Sequence, residues 1–216
     1  MSNSYLTIKK TGNATITIKK SDFICSLART KDEDTARKFI TDVKANYPKA
    51  NHNCFAYVIG QHNEIQRESD NGEPARTAGI PILEVLKKNE LRNTTAVVTR
   101  FFGGIKLGTG GLIRTYTQAT VTALETIGIV QCTLQKVIYV KVTYSQHKTL
   151  KNFLEKNNIL LIDTAFTEAV TIQVAVESVQ VEAFEKAIID LLSARVSFEE
   201  GPERYIEHDY HLHSKN

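Results

Sequence analysis

The sequence has no long hydrophobic run. Its longest unbroken aliphatic stretch, Ile159-Leu160-Leu161-Ile162, falls far short of the roughly 18 apolar residues expected of a membrane-spanning helix. Residues 1–12 alternate polar and apolar side chains and carry no signal-peptide core. Cysteine is scarce: Cys25, Cys54 and Cys132 form no close pair, which argues against a disulfide framework or a zinc ribbon. A reducing cytoplasm is therefore the expected compartment, with no membrane partner. Low-complexity linkers and internal repeats of 20–50 residues are also missing.

What is present is ordinary for a folded chain. Of the 216 residues, 42% are hydrophobic and 24% charged. A chain of this length buries about 70% of its unfolded surface and makes one large domain or two small ones. The net charge of +3 is uneven. Residues 1–135 carry 18 Lys/Arg against 12 Asp/Glu, while residues 136–216 carry 9 against 12. The first part is the better match for an anionic partner.

Periodicity orders the elements. Tyr5–Lys9 and Ala14–Lys20 alternate as strands about a Gly12-Asn13 turn, and Asp22–Ala28 continues in extended form. A helix capped by Asp32 or Asp34 places Ala36, Phe39, Ile40, Val43 and Tyr47 on one face before Pro48. Strands at Asn53–Ile59 and Glu64–Glu68 follow, then a helix over Pro81–Asn89 and a buried strand over Thr95–Phe102. A helix from Leu112 to Ile127 stops at Gly128. From Leu134 the order becomes β-α-β-β-α-β, with strands at Lys136–Tyr144, Ile159–Phe166, Ala169–Glu177 and Val196–Glu200, and helices at Gln146–Asn157 and Val181–Ala194. This is the ferredoxin-like order. The expectation is an α+β chain of two domains, 1–134 and 135–216.

Gly103–Gly111 holds five glycines in nine positions between a strand and a helix start. Arg100, Lys106 and Arg114 flank it without an acidic residue. Glycines Gly103, Gly104, Gly108, Gly110 and Gly111 let backbone amides approach an anion, Thr109 adds a hydroxyl, and a helix N-terminus favours negative charge. It is not a phosphate-binding P-loop, because Thr109 stands where that motif needs lysine, and no start point gives G-x-G-x-x-G. A tight structural turn explains the same glycines.

In a second loop, Asp70 and Glu73 are candidate paired carboxylates or magnesium ligands, although Asp70-Asn71-Gly72 is also a favourable turn. His52 and Cys54, two apart on a strand, face the same way and are a conceivable imidazole–thiolate pair; a buried, inert cysteine explains Cys54 equally well. His208, His211 and His213 read as a solvated tail. No cofactor or metal is expected.

These residues carry a resemblance. Gly79-Ile80-Pro81-Ile82-Leu83, the run Val97-Val98-Thr99-Arg100-Phe101-Phe102-Gly103-Gly104-Ile105-Lys106-Leu107-Gly108, Asp70-Asn71-Gly72-Glu73-Pro74, Thr77-Ala78-Gly79 and His52-x-Cys54-x-Ala56 resemble bacterial YigZ-type members of the YigZ/IMPACT family of translation-associated proteins. The resemblance implies an N-terminal α/β sandwich like domain four of elongation factor G and a ferredoxin-like C-terminal domain. It departs at Arg76, where a small residue, usually glycine, is expected. Eukaryotic family members carry a further N-terminal interaction domain that this sequence is not expected to have, so their restraint of a starvation-responsive kinase is not carried over.

Three readings stay open. The first is a non-enzymatic, translation-associated regulator that binds RNA or the ribosome through Arg100, Lys106, Arg114, Arg76 and the glycine loop. The second is a hydrolase or other enzyme in the groove between loops 69–79 and 103–111, using Asp70, Glu73, His52 and Cys54. The third is an adaptor that docks a protein partner.

Overall fold

The computed structural model describes residues 4–193 and 195–210. The chain divides into two units. One comprises Ser4–Gln131 together with residues 208–210, and the other Cys132–Glu207. None of the helices among the described residues is long and apolar enough to cross a membrane.

The first unit contains β1 (Ser4–Ile8), β2 (Gly12–Ile18), β3 (Ser21–Arg29), α1 (Glu33–Asn46), β4 (His52–Ile59), β5 (Ile65–Ser69), α2 (Gly79–Lys88), β6 (Thr94–Phe101) and α3 (Thr109–Ile127). Five strands form an antiparallel sheet in the order β2-β3-β6-β4-β5. Strand alternation gives this sheet two apolar faces. Cys54, Ala56 and Val58 of β4, with Ala96 and Val98 of β6, pack beneath α2 and α3. Tyr57 and Ile59, with Val97, face Ala36, Ile40 and Val43 of α1 on the other side. Asp32 caps α1, its side chain accepting from the Thr35 amide at 2.8 Å.

The second unit holds β7 (Ile129–Val142) from Cys132 onward, α4 (Tyr144–Lys156), β8 (Leu160–Phe166), β9 (Val170–Val176), α5 (Val181–Leu192) and β10 (Ser197–Tyr210) as far as Glu207; the first three residues of β7 and the last three of β10 belong to the first unit. β9 lies between β7 and β8, and β10 pairs with β7. The resulting order β10-β7-β9-β8 is that of a ferredoxin-like sheet. Ile138, Val140, Ile172 and Val174 form one core with Leu150 and Leu154 of α4 and Phe184 and Ile188 of α5.

β7 begins at Ile129 rather than Lys136, and α2 at Gly79 rather than Pro81; three further boundaries differ from expectation for physical reasons. Gly12 and Asn13 lie inside β2 rather than in a turn, because β2 pairs with β3 from Gly12↔Leu27 to Ile18↔Ser21, while β1 pairs with β7. The tight turn is Lys19-Lys20, both with positive φ (47° and 65°). β10 runs on to Tyr210 despite Gly201 and Pro202, and an edge position tolerates a proline that donates no amide. α3 begins at Thr109, so Gly110 and Gly111 occupy its first turn. His208 lies in β10; His211 and His213 are outside the described residues.

Gly103 shows why one glycine of the loop is needed for space. A Cβ there would fall on the Lys20 carbonyl and the Ser21 amide, and the Gly103 amide donates to Ser21 Oγ at 3.0 Å. Gly103→Ala should cost about 1–3 kcal/mol through forced backbone displacement, seen as a fall of several degrees in Tm by calorimetry.

Candidate functional site

The register of the first unit's sheet explains how a charged cluster comes to lie at the end of its core. Arg100 of β6 pairs with His52 of β4 on one side and with Phe23 of β3 on the other. Counting by twos from Ala96 and Val98, Arg100 points to the α2/α3 face. It is 5% exposed. Its Nη1 donates to Glu73 Oε1 at 2.5 Å, and its guanidinium lies between the Phe23 and Phe102 rings, 5.2 and 5.4 Å from their centroids. Arg100 is thus not an exposed cation open to a backbone phosphate.

Glu73 descends from the loop before α2, its side chain 3% exposed. Besides Arg100, its Oε1 accepts from Tyr116 Oη at 2.9 Å. Its Oε2 faces His52 Nε2 at 4.0 Å, beyond hydrogen-bond distance. Tyr116 belongs to the buried stripe of α3 and crosses Phe23 edge-to-face. Burial, with Cys54 and Glu73 beside it, pushes its phenol pKa upward. The phenol therefore stays a donor.

Asp70 and Glu73 do not act as a pair. Asp70 Oδ1 accepts from the Ala78 and Gly79 amides, both at 2.9 Å, and Oδ2 from the Arg76 amide at 2.7 Å. Asp70 thereby caps α2, whose N-cap residue Ala78 has no side chain to do so. Burial raises its pKa, but the Gly79, Arg76 and Ala78 amides outweigh it and hold the carboxyl below its usual 3.8. The Cys54 thiol donates to the Asp70 carbonyl and lies 3.3 Å from Tyr116 Oη. Burial pushes its pKa up to about 12, so it remains a thiol near neutral pH. His52 Nδ1 is 3.1 Å from the Asn71 carbonyl.

A cleft of about 430 Å³ opens over this cluster. His52, Glu73, Pro74 and Arg100 line it from one side. Phe102 and the segment Lys106–Thr109, with Leu112, line it from the other. The cleft sits at the start of α3. Gly108 is the N-cap at φ 71°, no side chain caps the helix, and its first turn holds no acidic residue. Gly104, Lys106, Gly110 and Arg114 are exposed. Arg114 folds back over the first turn, with Nη1 3.5 Å from a Cβ placed at Gly110.

Two cations escaped sequence reasoning. The Lys19-Lys20 turn is exposed and its backbone lies against Gly103, so the fold brings both lysines to the glycine loop. Arg76 goes elsewhere, to a groove with Ile113 and Thr117 between α2 and α3. Its φ of 65° supplies the reason a glycine suits that position. Among the described residues, no three His, Cys, Asp or Glu side chains gather as metal ligands.

The fold and cleft define a two-unit α+β chain whose first unit carries a basic glycine loop over a buried carboxylate–guanidinium pair. Residues 19–124 match the Impact N-terminal domain, and residues 140–195 match a domain of unknown function, DUF1949. The chain is 42% identical to the IMPACT family member YvyE of Bacillus subtilis, over 96% of this chain and 95% of that one. It is 35% identical to the IMPACT family member YigZ of Escherichia coli, over 80% and 86%. A crystal structure described as an hypothetical protein aligns with a TM-score of 0.59 and 31% identity, covering 92% of this chain and 97% of that one. The chain belongs to the IMPACT family.

Two outcomes follow from the site. Glu73→Ala leaves Arg100 charged and buried without its partner, and should cost about 3–5 kcal/mol in urea unfolding; Glu73→Leu with Arg100→Met should recover most of it. For Asp70, a lowered folded pKa means its stabilisation is complete above about 3.8 and is lost as pH falls through the folded value. Asp70→Asn should therefore be less stable than wild type at neutral pH, and the difference should shrink on acidification.

Proposed function

We propose that this chain is a translation-associated regulator that binds RNA, free or within the ribosome, through the face around its glycine loop. The observation that carries the reading is the grouping of exposed Lys19, Lys20, Lys106 and Arg114 around an α3 N-terminus whose first turn is free of acid. Cations on such a face meet backbone phosphates without reading sequence. Backbone amides at a helix start add to that attraction. The basic balance of residues 1–135 extends it at longer range. Membership of the IMPACT family, whose resemblance implies a first domain like domain four of elongation factor G, supports the ribosome as the setting. Exposed Phe102 provides a surface for an unstacked base. Arg100 has no part in the electrostatic contact, because Glu73 neutralises it.

A hydrolase is the second reading, favoured by the cleft between the two loops and by His52 lying beside Glu73. It loses Asp70 to the cap of α2 and Cys54 to burial, which leaves Glu73 and His52 as the acid–base candidates of the cleft.

Ribosome co-sedimentation and single-stranded RNA binding across a salt series test the proposal. Replacing Lys19, Lys20, Lys106 and Arg114 with Ala should weaken association similarly for all RNA sequences. It should also flatten the slope of log affinity against log salt by up to about 0.7 per lost phosphate contact. Unchanged affinity and slope, or no association of wild type at low salt, would overturn the reading.

A further inference from the structure

We infer that the cleft beside the glycine loop takes in one unstacked RNA base with its phosphate, and that it favours bases bearing an exocyclic amino group over uracil. This deepens the RNA-binding reading and rests on it. The volume of about 430 Å³ lies within the ~300–1,000 Å³ range of pockets that hold one small organic molecule, and does not admit a duplex. At the mouth stands Phe102, 46% exposed. Arg100 lies 5.4 Å from its ring centroid, and the exposed ring, part of the cleft lining, is a stacking surface for a base.

The two ends of the cleft differ in chemistry. At one end are Lys106 and the first turn of α3, where Gly108 offers no capping side chain and no acid competes for the amides. That end suits a phosphate. The floor is built from Glu73 and Arg100, whose side chains are only 3% and 6% exposed. Arg100 Nε has no hydrogen-bond partner, so this floor is not fully satisfied by the protein alone. The acceptors of Glu73 are unequally used. Oε1 already takes Arg100 and Tyr116, whereas Oε2 receives no hydrogen bond among the described residues and has only His52 Nε2 at 4.0 Å. A free carboxylate oxygen accepts from an exocyclic amino group, as carboxylates do from cytosine N4. Uracil has no amino donor to offer: its single N3–H is flanked on both sides by carbonyl oxygens that face the carboxylate acceptor against acceptor.

The test measures binding of the full chain to six-nucleotide single strands of cytidine, adenosine or uridine, with cytidine and uridine monophosphates as competitors. Two variants accompany wild type. Phe102→Ala removes the exposed ring. Thr109→Glu places an acid in the α3 first turn, which favours the helix while repelling a phosphate, so its Tm should hold. The expected result is about tenfold tighter binding of the cytidine and adenosine strands than of the uridine strand, and better competition by cytidine monophosphate. Both variants should lose about tenfold for the favoured strands. If the three strands bind equally but both variants still lose affinity, the amino-group preference is overturned. If both variants bind like wild type while the four-alanine protein does not, the cleft assignment falls and the RNA reading stands. Should no strand bind wild type at low salt, both fall together.

Discussion

The first unit's site depends on the buried Glu73–Arg100 pair and the Tyr116 phenol that shares its oxygen. These three side chains come from the loop before α2, from β6 and from α3, and one carboxylate oxygen joins all three. A buried ion pair contributes little net stability compared with apolar residues of the same shape, yet breaking one partner is expensive. Its consequence here is positional: Glu73 ties the loop before α2 to β6 through Arg100 and to α3 through Tyr116, and the Arg100 guanidinium lies 5.4 Å from the Phe102 ring centroid. Asp70 performs the same service four residues from Pro74 by tying that loop to the α2 start. The two carboxylates of this loop are therefore both spent on geometry, apart from the single oxygen Glu73 Oε2.

That division of labour separates the cations into two kinds. Arg100 is desolvated, paired and surrounded by aromatic rings, and its charge is cancelled within hydrogen-bond distance. Lys19, Lys20, Lys106 and Arg114 remain in water, where their field reaches about a Debye length, roughly 8–10 Å at physiological salt. Long-range attraction and short-range recognition thus come from different residues. A polyanion would be drawn by the outer four, while the inner cluster acts only on a group that enters the cleft.

Much of this was legible in the sequence, and the gaps have physical reasons. The order of elements and the two faces of β4 follow from period alone, because those signals are local; capping chemistry narrows the start of α1 to Asp32 or Asp34, and the structure has Asp32. The β-α-β-β-α-β pattern of the second unit was readable for the same reason. The burial of Arg100 has a local signal: Ala96, Val98 and Arg100 alternate on one face with Cys54 and His52, and strand period places the guanidinium inward. α3 starts three residues before the expected Leu112, because Gly110 and Gly111 count against a helix interior whereas first-turn amides have no intrahelical partner to lose. The partner of β1 and the arrival of Lys19-Lys20 beside Gly103 are long-range pairings, which no local period encodes.

Arg76 serves the loop before α2 through its backbone. Its φ of 65° is a left-handed conformation that disfavours any side chain with a Cβ, yet its amide must donate to Asp70 for the loop to hold Glu73 in place. Glycine reaches that conformation without steric penalty but loses more entropy on folding. Arginine accepts strain at this position and lines the groove shared by α2 and α3. The backbone, rather than the charge, is therefore what the site requires of this residue: the hydrogen bond to Asp70 keeps the loop in register, and the carboxylate of Glu73 stays beneath the cleft whichever side chain stands at the turn.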